Sequence, residues 1–280
     1  MNIVLDLFCI LVLGWGVAGA AIATVISQGL SAVLCYIYMY RKFDILQSTP
    51  KERRFQSKLA KTLLYIGVPM GLQFSITAIG SIMLQSANNA LGTACVAAFT
   101  SAMRIKMFFI CTFESLGIAM ATYSGQNYGA GKQERIRKGL KGAVLVSVVF
   151  CVIVSALVFV FAKPLMLLFV EAGETEIIAE GVRYLHIEGA FYCGIGCLFL
   201  LYGLYRAVAK PGMSVVLTVI SLGTRVVLAY LLSAVIGVTG IWWSVPIGWF
   251  LADVTGVVYY FIHKEKLLHF GESNLKRTES

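Results

Sequence analysis

Long apolar runs dominate the chain, separated by short segments rich in glycine or charge. In order they are Val4–Leu13, Gly16–Tyr40, Leu59–Leu84, Cys95–Tyr123, Ala143–Ala162, Tyr184–Tyr205, Val215–Ile236 and Ile241–Ile262. A helix rises about 1.5 Å per residue, so about 20 apolar residues cross a hydrocarbon layer about 30 Å thick. The last seven runs meet that length, and the first covers only part of it. The pattern predicts an all-α fold: a polytopic transmembrane helical bundle with seven full spans and a partial first helix. Asp6 interrupts the first run and no basic residue precedes Ile3, which is not the pattern of a cleaved leader. That run reads as the second half of a helix, which places Met1 within the bilayer.

Composition agrees with the pattern. The 280 residues are 59% hydrophobic and 13% charged, with a mean hydropathy of +0.82. Soluble domains carry roughly 45–50% apolar and about 25% charged residues. A water-soluble enzyme and a disulfide-stapled secreted domain are therefore excluded. The runs have helix length rather than the short alternation of an outer-membrane barrel. The seven cysteines all fall within apolar spans and lack zinc-ligand spacing with histidine. No Ser/His/Asp or Cys/His constellation suggests catalysis, and no cofactor is expected.

A formal charge of +9 acts here as a topology signal rather than as a sign of a nucleic-acid partner. Arg41, Lys42, Lys51, Arg53, Arg54 and Lys58 lie between the second and third runs, with Lys61 at the start of the third, and Lys132, Arg135, Arg137, Lys138 and Lys141 lie between the fourth and fifth. Arg206 and Lys210 lie between the sixth and seventh, and Lys264, Lys266, Lys276 and Arg277 follow the last. If every run crosses, these groups share one side, whereas the opposite loops hold Lys163 and Arg183 among several glutamates. The positive-inside rule assigns the basic side, and with it the carboxyl terminus, to the cytoplasm of a plasma (inner) membrane.

An internal repeat accounts for the short first run. Gly16-Val17-Ala18-Gly19 aligns with Gly237-Val238-Thr239-Gly240, and the same shift pairs Leu7 with Leu228, Leu11 with Leu232, Ile26 with Ile247 and Tyr38 with Tyr259. Each copy reads as helix, glycine turn, then a helix ending in basic residues. The expected organisation is the last one and a half helices of an amino-terminal lobe in 1–43, a cytoplasmic linker in 44–57, a six-helix lobe in 58–264 and a cytoplasmic tail in 265–280. Repeats of this size are what many secondary transporters are built from.

Two stretches resemble the multidrug and toxic compound extrusion (MATE) family. One is Gly125-Gln126-Asn127-Tyr128-Gly129-Ala130-Gly131-Lys132 with the basic segment after it, similar to a cytoplasmic segment of that family. The other is Asn2-Ile3-Val4-Leu5-Asp6 leading into Gly16-Val17-Ala18-Gly19-Ala20-Ala21-Ile22-Ala23-Thr24, similar to the end of the family's first lobe. The resemblance implies that Asn2, Asp6 and Thr24 hold a coupling cation, together with an aspartate on a first helix that would precede Met1. Independently of it, Asn2 and Asp6 are four apart and share a helix face, and a carboxylate inside a membrane usually marks an ion or proton path. At the positions related by the repeat stand Gly223, Val227 and Val245, so the architecture alone does not demand polar residues there. The second lobe departs from the sodium-coupled branch, with Thr77 in place of a glutamate after Pro69 and Ile195 in place of an aspartate before Arg206.

Further cavity-lining candidates lie in the second lobe. Gln73, Thr77, Ser81 and Gln85 repeat every four residues and form a spiralling polar stripe. Arg104, Lys106 and Glu114 interrupt the next run, and each must meet water or a partner on another helix. Arg225 and Asp253 are candidates for a structural pair, and His186 and Glu188 for interfacial positions. Trp242, Trp243, Tyr259 and Tyr260 fit interfacial belts. The glycine-rich stretch 125–131 follows a membrane helix and lacks a Lys-Ser/Thr pair, so it is read as a turn and not as a phosphate cradle.

The implied function is a proton- or sodium-coupled multidrug antiporter that exports small-molecule organic cations by alternating access, held in a lipid bilayer, with a missing first lobe in trans as a candidate partner. Two alternatives stand beside it: a lipid-linked saccharide flippase of the same superfamily, and a non-transporting truncated product or half-transporter.

Overall fold

Backbone groups in hydrocarbon have no water to bond, so the apolar runs satisfy them internally as helices. The computed structural model describes residues 1–43, 55–89 and 92–268, and among these no strand occurs. The helices are α1 (Asn2–Leu7), α2 (Gly16–Lys42), α3 (Ser57–Asn89), α4 (Thr93–Gly129), α5 (Gln133–Met166), α6 (Thr175–Gly189), α7 (Tyr192–Ala207), α8 (Pro211–Ile236) and α9 (Val238–Leu268). Among the described residues six are long and apolar enough to cross a membrane, and the count is seven if the bent pair α6 and α7 is taken as one span. The linker expected in 44–57 lies mostly outside the described residues, as does the tail beyond Leu268.

Two units divide the chain, Met1–Ala60 and Lys61–Ser280. In the first, α1 runs into a π-helical segment, Phe8–Val12, in which Leu13 N donates to Phe8 O at 3.1 Å. The chain then reverses at Gly14 and Gly16, with φ of 67° and 54°, where only glycine is at ease. In the second unit, α8 and α9 join through Gly237 at φ 63°. The repeat is thus visible as geometry: Gly16 and Gly237, aligned in sequence, both take the left-handed conformation. Their partners Gly19 and Gly240 also share a role. A Cβ on Gly19 would come within 3.0 Å of Cys9 Cβ, and one on Gly240 within 2.5 Å of the Leu232 backbone.

The second unit has a core of large side chains, among them Phe113, Tyr184, Leu185, Tyr192, Leu217, Trp242 and Trp249, all nearly inaccessible. Helices α4 and α7 cross in near backbone contact, because a Cβ on Gly203 would collide with the Gly117 carbonyl. Small residues permit such crossings in membranes, where dispersion rather than hydrophobicity drives association. Trp242 is fully buried against the edge of Tyr184, with ring centroids 5.6 Å apart, so it belongs to the core and not to an interfacial belt.

The run Tyr184–Tyr205 is not one straight helix. Helices α6 and α7 meet at a bend of 52°, and the carbonyl exposed at the end of α6, Gly189 O, accepts from Ser155 Oγ of α5 at 2.6 Å. Nor is 125–131 all turn. Helix α4 continues to Gly129 and closes with Gly131 at φ 68°, Lys132 N donating to Asn127 O at 2.8 Å and Gly131 N to Tyr128 O at 3.1 Å. These two bonds form a Schellman motif, in which a left-handed glycine satisfies the last helical carbonyls.

Candidate functional site

In the first unit, the turn at Gly14–Gly16 lays α2 back along α1 and brings three polar side chains together. Asn2 Nδ2 donates to Asp6 Oδ1 at 3.5 Å and to Thr24 Oγ1 at 3.3 Å. The Thr24 hydroxyl gives its own proton to Ala20 O at 2.9 Å, one turn back in α2, and so meets Asn2 as an acceptor. Asn2 therefore bridges two helices, with both amide hydrogens occupied. Among the described residues no hydrogen bond engages Asp6 Oδ2.

The second unit holds a cavity of about 310 Å³ between α3, α4, α7, α8 and α9. Gln73, Thr77 and Glu114 line it, together with Arg206 and Arg225. Arg206 Nη2 donates to Gln73 Oε1 at 3.1 Å, which ties α7 to α3. The hydroxyl of Thr77 donates to Gln73 O and that of Ser81 to Thr77 O, each at 2.9 Å, so the stripe spends its hydroxyl protons on its own helix. The remainder of the wall is largely apolar, with Phe74, Phe199 and Trp249 supplying aromatic faces.

A smaller cavity of about 110 Å³ lies next to it. Gln85 and Lys106 line this one, and Arg225 borders both. Lys106 Nζ donates to Glu188 Oε1 at 2.9 Å and to the Tyr184 hydroxyl at 3.2 Å, and lies 2.7 Å from Glu188 Oε2. The ammonium is also 5.5 Å from the Trp249 ring centroid, and the Arg225 guanidinium carbon is 6.0 Å from the same ring. Two cations on one indole are each favoured by its quadrupole.

The sequence-derived candidates therefore separate. Gln73, Thr77 and Glu114 share the larger cavity, Gln85 and Lys106 the smaller, while Arg104 lines a distinct open depression with Thr100, Ser101 and Phe169. Glu188, expected near an interface, is fully buried as the partner of Lys106. Arg225 and Asp253 form no ion pair. Asp253 lies against Gly194 and faces Cys197, while Arg225 points to Trp249 and the cavities. Sequence reading offered Arg225 only as a partner for Asp253; its surroundings include Lys106, Tyr184 and Trp249, all on other helices.

The family model described as MatE matches residues 66–231. This chain belongs to the MatE family. Among its MatE relatives is the probable multidrug resistance protein YpnP of Bacillus subtilis, 28% identical over 261 residues, an alignment that covers 93% of this chain and 58% of YpnP. The multidrug export protein MepA of Staphylococcus aureus is 22% identical over 268 residues, covering 95% of this chain and 58% of MepA. The chain thus spans less than two thirds of the length of these relatives. A MOP superfamily transporter from Pyrococcus furiosus superimposes with a TM-score of 0.88 at 25% identity, covering 95% of this chain and 60% of that one. An outward-facing multidrug resistance MATE family transporter gives 0.87 at 24% identity, with the same coverages, and supports the fold. As a MatE protein the chain is a multi-pass membrane protein, and its named relatives are multidrug resistance and export proteins.

Proposed function

We propose that this chain serves multidrug efflux, carrying amphipathic small molecules outward by alternating access in exchange for a proton or sodium ion, with Asn2, Asp6 and Thr24 as the coupling site. The observation that carries the reading is the bridge from Asn2 Nδ2 to Asp6 Oδ1 and Thr24 Oγ1 across α1 and α2. Asn2 and Thr24 orient the Asp6 carboxylate, and its second oxygen receives the cation. Loading and unloading that oxygen changes the charge between two helices, a local event of the kind that biases a two-state packing. The membrane is the plasma membrane, with the carboxyl terminus cytoplasmic. The basic start of α5, carrying Arg135, Arg137, Lys138 and Lys141, suits anionic headgroups on that face.

The test is efflux of fluorescent amphiphiles of both charges from efflux-deficient cells expressing the chain, under imposed proton and sodium gradients. Efflux that follows one gradient and loses that dependence in Asp6→Asn is the expected result. Full gradient-driven efflux in Asp6→Asn would overturn the coupling role.

A further inference from the structure

We propose that the cavity lined by Arg206 and Arg225 in the second unit is a binding site for amphipathic anions: an apolar, preferably aromatic body bearing one carboxylate, sulfonate or phosphate. The inference rests on the transport reading above and names the ligand class of the cavity.

The charge balance of the wall carries it. Of its lining residues, three are charged, namely Arg206, Arg225 and Glu114. Glu114 is exposed and can offset one guanidinium at most. Neither of the other nearby carboxylates lines the cavity. Glu188 is held by Lys106 at 2.7 Å, and Asp253 lies against Gly194 and does not line the cavity. One positive charge is therefore left over in a largely apolar hollow.

The hydrogen-bond inventory points the same way. Arg206 Nε and Arg225 Nε are both buried, and neither has a partner. Arg206 uses Nη2 on Gln73, and the contact of Arg225 with Trp249 is through the ring face at 6.0 Å, which satisfies no N–H. Buried donors left unpaired are costly, and the planar guanidinium fork matches two oxygens of a carboxylate, sulfonate or phosphate. Both arginines line the cavity, so an anion entering it would meet their guanidinium groups within the apolar wall. An organic cation, the class implied by the family resemblance, would meet two guanidiniums of its own sign. The volume, about 310 Å³, is at the lower end of what small-molecule sites occupy, and Phe74, Phe199 and Trp249 offer faces for a ring.

The ligand chemistry is shared by two sources, a soluble aromatic acid and an anionic lipid headgroup. Binding of three probes with one fluorophore and different charge tests it: dansylglycine, dansylamide and dansylcadaverine, titrated onto the full chain in phosphatidylcholine nanodiscs and read by energy transfer from tryptophan. Dansylglycine is expected to bind about tenfold more tightly than the neutral amide, with dansylcadaverine weakest, and Arg225→Gln or Arg206→Gln to remove about that factor. Glu114→Gln is expected to tighten dansylglycine binding severalfold. That variant removes a charge instead of a buried guanidinium, and it keeps the proposal testable if an arginine variant fails to fold.

Equal affinity for the three probes, indifference of dansylglycine to both arginine changes, or weaker binding in Glu114→Gln would overturn the site. Nanodiscs containing phosphatidylglycerol separate the sources. Competition with dansylglycine identifies the headgroup as a ligand, and unchanged affinity identifies a soluble anion. No gradient is applied, so failure of Asp6 to couple would leave an anion site standing, and failure here would leave the coupling role standing.

Discussion

Lys106 Nζ lies 2.7 Å from Glu188 Oε2, and both side chains are 5% exposed or less. The pair joins the middle of α4 to the last turn of α6, next to the bend between α6 and α7. Removing one partner strands a buried charge, which typically costs about 3–5 kcal/mol, whereas replacing both by apolar residues is often neutral. Glu188→Ala is therefore expected to lower unfolding stability by about 3 kcal/mol or more. The double variant Lys106→Met, Glu188→Leu should recover most of that. Denaturant unfolding in detergent compares them; a double variant as unstable as the sum of the singles would mean the pair's charges are not the reason.

Asn2 and Thr24 position a carboxylate, so their loss should weaken coupling without abolishing it. Asn2→Ala removes the bonds to Asp6 and Thr24, and Thr24→Ala the bonds to Asn2 and Ala20 O, each worth about 1 kcal/mol, and either change is expected to cut gradient-driven efflux by several fold. Thr24→Ser keeps the hydroxyl and should restore it. Initial efflux rates at saturating gradient provide the comparison, and an inactive Thr24→Ser would point to packing of the methyl group instead.

Ala209 has φ 55°, a conformation that costs a non-glycine residue roughly 1–2 kcal/mol. It closes α7 just as Gly131 closes α4, with Lys210 N donating to Tyr205 O at 2.9 Å and Ala209 N to Arg206 O at 3.3 Å. Ala209→Gly should stabilise the protein by about 1 kcal/mol, visible as a raised thermal midpoint. A lowered midpoint would show that the alanine methyl contributes packing that outweighs the strain.

Gly203 and Gly117 set the separation of α4 and α7. Gly203→Val forces those backbones apart and should cost about 1–3 kcal/mol. Arg206 is one turn further along α7, so the same change should also disturb its bond to Gln73. Thermal unfolding and proteolysis of the purified chain would register the effect, while an unchanged midpoint would mean that the helices slide without penalty.

Hydropathy was sufficient to place the spans, because burial in lipid demands length and apolarity that few soluble sequences have. The glycine turns were legible too, since the repeat put Gly16 and Gly237 at the same point of the pattern. The break between Gly189 and Tyr192 was not. Both flanks are apolar, no proline marks it, and the carbonyl it frees is satisfied by Ser155 from another helix. The fate of Glu188 was hidden for a similar reason. Its partner is 82 residues away, and spacing along one helix says nothing about neighbours across a bundle. Asp253 and Arg225 show the converse: opposite charges on adjacent helices need not pair, Asp253 lying against Gly194 and Arg225 over the Trp249 ring.

The π-helical segment at Phe8–Val12 widens one turn between the reversal at Gly14 and the pair Asn2 and Asp6. A π turn holds one residue more than the α turn it replaces. Deleting a single residue from Phe8–Val12 and restoring α geometry would turn everything before it by about 100° relative to the reversal. Asn2 would then no longer face Thr24. The aim of the Asp6 carboxylate depends on one inserted codon, so the spacing of this segment constrains an alignment or a graft as strictly as the identity of the acid itself.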